Sequence, residues 1–208
     1  MNDVYQYFIT LPLWELIAVI AALFYVVLAA KENSWCWPAA LISTIIYTVI
    51  FYDVYLWMDS LLQLYYIAMA IYGWYCWRQS STKVNASQKI QSWPLLLHGK
   101  MIVLLLAISL ILGWVMANYT PTDFPYLDSA TTVFAVFATY LVAKKVLENW
   151  LYWIVIDAVS IYLYIEKELT PTAVLFVLYV IIAIYGYMQW LTKHDNDSSK
   201  LTESAQVT

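Results

Sequence analysis

Asp157 is the residue of this chain that most demands a chemical explanation. It ends the apolar run Trp150-Leu151-Tyr152-Trp153-Ile154-Val155-Ile156-Asp157. An ionisable side chain deep in a membrane span costs roughly 2.5–3.5 kcal/mol by insertion scales, so it needs a partner or a ligand. Helical spacing places Trp150, Trp153 and Asp157 at i, i+3 and i+7, on one face, and Ser160 and Tyr164 continue that face. Two indoles beside a carboxylate describe a cage for a flat cation: the rings attract the charge and the carboxylate neutralises it. The plainer alternative is that Asp157 only hydrogen-bonds a neighbouring helix. Gln63, in Leu61-Leu62-Gln63-Leu64-Tyr65-Tyr66, carries an amide that both donates and accepts. It suits a ligand amide or hydroxyl, and it equally suits an interhelical bond. Asn149 and Tyr66 complete the candidate substrate-binding set.

These residues belong to a chain built for a bilayer. Of its 208 residues, 63% are apolar and only 12% charged, with mean hydropathy +0.68; a soluble domain carries about 25% charged residues. Seven stretches reach the roughly 20 residues that a spanning helix needs: 11–30, 35–55, 57–77, 100–118, 126–143, 149–166 and 170–191. The apolar runs are continuous rather than alternating, which argues against membrane strands. The expected fold is therefore all-α, with seven transmembrane helices. Met1-Asn2-Asp3 offers no positive flank for a cleavable signal, so the first run is expected to remain a span.

Orientation follows from Lys and Arg. Nine of the ten fall on one side: Lys31, Arg78, Lys83, Lys89, Lys100, Lys144, Lys145, Lys193 and Lys200; Lys167 alone falls on the other. The positive-inside rule makes the first side cytoplasmic, with the N-terminus outside and the C-terminus inside. The net charge of −4 leaves no footprint for nucleic acid. Cys36 and Cys76 fall at cytoplasmic helix ends, where thiols stay reduced. His98, read in a loop, and His194, in the tail, are too scattered to make a metal site, and no cofactor is expected. Trp77 and Trp190 read as interfacial belt residues, while Gly73 and Gly186 read as sites of close helix packing.

A block of sequence recurs. Lys31-Glu32-Asn33-Ser34-Trp35-Cys36-Trp37 leads to Ile71-Tyr72-Gly73-Trp74-Tyr75-Cys76-Trp77, and Leu147-Glu148-Asn149-Trp150-Leu151-Tyr152-Trp153 leads to Ile184-Tyr185-Gly186-Tyr187-Met188-Gln189-Trp190. Aligning Glu32-Asn33 with Glu148-Asn149 pairs Trp37 with Trp153 and leaves three residues to absorb before the Gly–Trp ends. The first and fifth spans run the same way, so the two triplets are parallel and a single linker helix must separate them. The units expected are 1–77 and 119–191 as three-helix repeats, 78–118 as cytoplasmic loop and linker helix, and 192–208 as a disordered cytoplasmic tail.

Duplicated apolar halves point to a transporter with its site between the repeats, near the midplane. Enzyme readings fail. An intramembrane aspartyl protease needs two deep carboxylates and only Asp157 qualifies; no Gly-x-x-x-x-Gly-Lys loop supports an ATPase; no Lys within 170–191 could carry a Schiff base. A proton-coupled carrier using Asp157 stays open.

Glu148-Asn149-Trp150 with Trp153, Leu62-Gln63, and Tyr72-Gly73-Trp74 with Trp77 together resemble the PnuC family of bacterial vitamin transporters, over about residues 10 to 191. The resemblance implies a three-plus-one-plus-three fold similar to a full-length SWEET protein, a homotrimer, and facilitated diffusion of nicotinamide riboside across the inner membrane, with a cytoplasmic kinase trapping the product. It assigns the indoles of Trp150 and Trp153 to the pyridinium ring, Gln63 and Asn149 to amide or hydroxyls, and Asp157 to the charge. Some riboside carriers of the family have Asn where this chain has Asp157. Thiamine, also a flat cation, is the alternative substrate; riboflavin, neutral and larger, ranks third.

The topology has a direct test. With Cys36 and Cys76 replaced by Ser, a cysteine at Ser204 should react with an impermeant maleimide only in inverted vesicles. Labelling in intact spheroplasts would place the C-terminus outside and reverse the assignment.

Overall fold

The structure, a computed structural model, describes residues 12–53, 57–82 and 89–206. The N-terminal flank and the loop 83–88 expected from the sequence lie outside the described residues. Among those described there are seven helices: α1 Leu13–Ala30, α2 Cys36–Asp53, α3 Trp57–Thr82, α4 Leu95–Tyr119, α5 Pro125–Ala143, α6 Asn149–Glu166 and α7 Thr170–Gln206. By length and composition four segments can cross a membrane: Leu13–Ala30, Leu95–Tyr119, Pro125–Ala143 and, within α7, Thr172–Ser199; Cys36–Ile50 is a shorter apolar helix. The outward residues of α4, among them Leu95, Val103, Leu110 and Ile111, are large, apolar and exposed. Such a surface belongs against lipid, and the chain is a multi-pass membrane protein.

Two element boundaries differ from expectation for physical reasons. Helix α4 starts at Leu95, directly after Pro94, whose fixed φ suits a helix start. His98 therefore sits in the first turns of a helix rather than in a loop. Helix α7 continues through the polar stretch expected to be a disordered tail. That stretch holds no Gly or Pro to stop it, and the Ser198 and Ser199 hydroxyls donate to the carbonyls of His194 and Asp195 one turn back.

Helix α1 packs on α2, α2 on α3, α5 on α6 and α6 on α7; across the two triplets α1 meets α7 and α3 meets α5. The linker helix α4 packs on α5, where Gly113 lets the Tyr126 ring approach: an added Cβ would lie 2.5 Å from Tyr126 Cδ1. Ahead of α4, the chain is stapled to the α5–α6 turn. Gln91 N–H donates to Lys145 O at 3.0 Å and Leu147 N–H donates to Gln91 O at 2.8 Å. Glu148 accepts from the Ser92 hydroxyl and from Trp93 N–H at 3.3 Å, and His98 Nε2 lies 3.5 Å from its carboxylate. His98 Nδ1 meets the Tyr152 hydroxyl at 3.0 Å.

The densest packing is indole on glycine. A Cβ on Gly73 would lie 2.3 Å from the six-membered ring of Trp37, and one on Gly186 would lie 2.8 Å from that of Trp150. Trp37 meets Trp77 edge-on at 5.5 Å and 88°, and Trp150 meets Trp190 at 5.5 Å and 90°. Trp77 Nε1 donates to Ala143 O at 3.2 Å, and Trp190 Nε1 donates to Ala29 O at 3.1 Å. Trp77 and Trp190 are thus buried core residues that tie one triplet to the other, and not belt residues at the interface.

These environments fix the register of the recurrence. Glu32 and Lys145, 113 residues apart, both end a helix in the left-handed region, at φ 55° and 53°. The same separation relates Gly73 to Gly186, Trp77 to Trp190, and Trp37 to Trp150. The structural counterpart of Trp37 is therefore Trp150, not Trp153, and no residues have to be absorbed between the clusters. Glu32 and Glu148 also do different jobs: Glu32 pairs with Lys145 at 2.6 Å and with Lys193, whereas Glu148 holds the linker.

Substitution of Gly73 by Ala should overpack the Trp37 contact and destabilise the protein by about 1–3 kcal/mol. The same change at Gly99, where an added Cβ meets nothing within 4 Å, should cost little. Thermal unfolding in detergent compares them; equal melting temperatures would refute the indole–glycine contact.

Candidate functional site

Between the two triplets lies a cavity of about 320 Å³, in the ordinary range for small-molecule sites. Its inner wall is the indole packing, since Trp37 and Trp150 line it while resting on their glycines. From there it runs along α1, α2, α3, α5, α6 and α7. Five of the six candidate residues border it: Gln63, Tyr66, Trp150, Trp153 and Asp157.

Their roles are not equal. Asp157 is 4% exposed, and among the described residues no cation and no hydrogen-bond donor pairs with it. Trp153 is half-buried and offers its ring to the cavity from the junction of the two core clusters. Trp150 is 2% exposed, held by Gly186 and Trp190, so it serves mainly as wall. Asn149 does not border the cavity. It is fully buried at the start of α6, where its amide donates to Val146 O at 2.7 Å and shapes the local turn.

The sequence reading missed several cavity residues. Trp37, Thr44 and Tyr179 are, at the constant separation, the counterparts of Trp150, Asp157 and Tyr66. The Gly–Trp pairs carried that register in the sequence; the Glu-Asn match displaced it. Tyr25, Tyr47, Ser43 and Phe176 also line the cavity, on helix faces that no sequence motif distinguishes.

Chemically the cavity is aromatic-walled with isolated polar groups: one amide (Gln63), small hydroxyls (Ser43, Thr44, Thr139) and one carboxylate. Among the described residues lining it there is no Lys, Arg or His. An uncompensated carboxylate among ring faces attracts an organic cation and repels an anion.

The nicotinamide mononucleotide transporter family matches residues 12–192. The chain is 26% identical to the nicotinamide riboside transporter PnuC of Escherichia coli strain K12, over 85% of this chain and 84% of that one. It is 23% identical to the riboflavin/roseoflavin transporter RibM of Streptomyces davaonensis, over 92% and 90%. The crystal structure of the vitamin B3 transporter PnuC superposes with a TM-score of 0.69, covering 94% of this chain and 88% of that one at 20% identity. With the family matched from the start of α1 into α7, the chain belongs to the nicotinamide mononucleotide transporter family and is a transporter, not an enzyme.

Proposed function

We propose that this protein carries nicotinamide riboside across a bacterial inner membrane by facilitated diffusion, with a cytoplasmic kinase trapping the product. One observation carries the choice of substrate: Asp157 faces an aromatic cavity with no charged partner among the described residues. The riboside supplies what is missing, a flat pyridinium cation, together with an amide and hydroxyls for Gln63, Tyr66 and the hydroxyl residues. The mononucleotide adds a phosphate, for which the lining offers no base. Thiamine is the second reading, since it also brings a flat cation; riboflavin transport by a relative of 23% identity keeps a neutral ring in third place.

The remaining architecture follows as part of the same reading. Seven spans form two parallel triplets joined by α4, arranged as in a full-length SWEET protein, with the C-terminus cytoplasmic and three copies in the assembly. The matched indole–glycine pairs and the reciprocal contacts of α1 with α7 and α3 with α5 support the repeat. Asp157 acts as counter-charge. The alternative of proton coupling is separated by counterflow in proteoliposomes: a uniporter exchanges label at the same rate with and without a proton gradient.

Binding to the purified protein tests the substrate. Nicotinamide riboside should bind more tightly than its mononucleotide or riboflavin, and Asp157→Asn, which keeps shape and hydrogen bonding, should weaken riboside and thiamine alike. Unaltered riboside affinity in Asp157→Asn would remove the counter-charge role. Trp153→Ala should cost about 2 kcal/mol, roughly thirtyfold in affinity. Trp114→Ala, on the lipid-facing side of α4, should leave affinity unchanged; equal losses from the two would refute the ring contact.

A further inference from the structure

The cavity is symmetric in its walls and asymmetric in its chemistry. At the constant separation, wall positions match in kind: Trp37 with Trp150 and Tyr66 with Tyr179. Among the other lining pairs, Val26 corresponds to Thr139 and Ala29 to Val142, and three more differ in how they could meet a ring cation. Ala40 stands opposite Trp153, Thr44 opposite Asp157, and Gln63 opposite Phe176. At these three positions the second triplet contributes two aromatic rings and the charge. The first contributes a small residue, a hydroxyl and an amide there, with the Ser43 hydroxyl on the same helix as Ala40 and Thr44, and the Tyr25 and Tyr47 rings elsewhere on its wall. Phe176 is fixed in place: it stacks on Tyr164 at 5.1 Å and 28°, and Tyr179 meets it edge-on at 5.6 Å. Asp157 lies one turn after Trp153 on α6, so ring and carboxylate act on the same end of a ligand.

We propose that the carrier holds its substrate in one orientation, with the ring cation against Trp153, Phe176 and Asp157 of the second triplet and the sugar against Ala40, Ser43, Thr44 and Gln63 of the first. This deepens the assignment of a riboside substrate and rests on it. Specificity is then divided between the triplets. The second selects a flat cation. The first selects what is attached to it, by space at Ala40 and by hydroxyl and amide contacts at Thr44 and Gln63. Ala40 becomes a specificity-determining position although it has no functional group: its small side chain leaves the volume that its counterpart Trp153 fills.

Two probes separate the halves: nicotinamide riboside, and 1-methylnicotinamide, which has the same ring cation with a methyl group in place of the sugar. Binding of each to the purified full chain is measured by titration calorimetry. Ala40→Trp should lower riboside affinity by about thirtyfold or more while 1-methylnicotinamide binds within about twofold of wild type, which also shows that the variant is folded. Thr44→Val, a milder change, should lower riboside affinity by roughly fivefold, the loss of one hydrogen bond, and spare the methyl compound. Phe176→Ala should weaken both probes alike. The orientation is overturned if Ala40→Trp binds the riboside as wild type does, if Thr44→Val weakens both probes equally, or if wild type binds the riboside but not the methyl compound. Wild-type protein that binds neither probe removes the substrate assignment itself, and the orientation with it.

Discussion

The contact on which the rest depends is an indole laid on a glycine, made once in each triplet. Between helices in a bilayer, lipid tails compete as equals with apolar side chains, so association relies on close approach and on interhelical hydrogen bonds. Gly73 and Gly186 provide the approach by having no Cβ, and Trp37 and Trp150 fill the gap with the largest available side chain. Trp77 and Trp190 then stand edge-on to these rings, 6.2 Å from each other, and each donates its N–H to a last-turn carbonyl of the opposite triplet. Those carbonyls belong to helix ends, which have no partner within the helix. One motif thus packs each triplet, joins the two, and forms the inner wall of the cavity.

Around this stack the chain accepts local cost. Glu32 and Lys145 hold left-handed backbone that side chains with a Cβ adopt at about 1–2 kcal/mol. Both close their helices by the same pattern: Glu32 N–H donates to Ala29 O and Asn33 N–H to Leu28 O, while Lys145 N–H donates to Val142 O and Val146 N–H to Leu141 O. The side chains of these two counterparts then pair with each other, and Lys145 also lies 4.8 Å over the Trp77 ring. A pair this buried contributes little net stability once desolvation is counted. Its effect is on register: a carboxylate and an ammonium that must meet fix how the two triplets face.

The helical class, the membrane setting and five residues that border the cavity were legible in the sequence because they depend on local pattern: apolar runs of spanning length, and a carboxylate spaced one turn from an indole. What was not legible depended on which of two similar signals carries structure. Glu-Asn occurs twice by letter, yet Glu32 faces Lys145 and Glu148 faces Ser92, Trp93 and His98. No local pattern distinguishes those partners, because each comes from a distant segment. Asn149 was misplaced for the same reason: an amide beside two indoles suits a ligand, but its position as the first residue of α6 turns it to Val146. Trp77 and Trp190 looked interfacial because they end apolar runs, while their burial arises from the opposite triplet.

The one charged side chain among the described lining residues also bears on the choice between a riboside and its phosphorylated form. A phosphate monoester carries about −1.5 to −2 charges at neutral pH. At roughly 8 Å from a carboxylate, with an effective dielectric near 20, each unit of that charge costs about 2 kcal/mol, or roughly thirtyfold in affinity. A basic residue would offset this, and the described lining has none. The same carboxylate attracts the pyridinium with comparable strength, so adding the phosphate reverses the sign of the net interaction. A carrier with this charge arrangement accepts the nucleoside and rejects the nucleotide. If the cytoplasmic kinase proposed above acts on the riboside, its product no longer suits the cavity that admitted the precursor, and the substrate is retained without any energy source in the carrier.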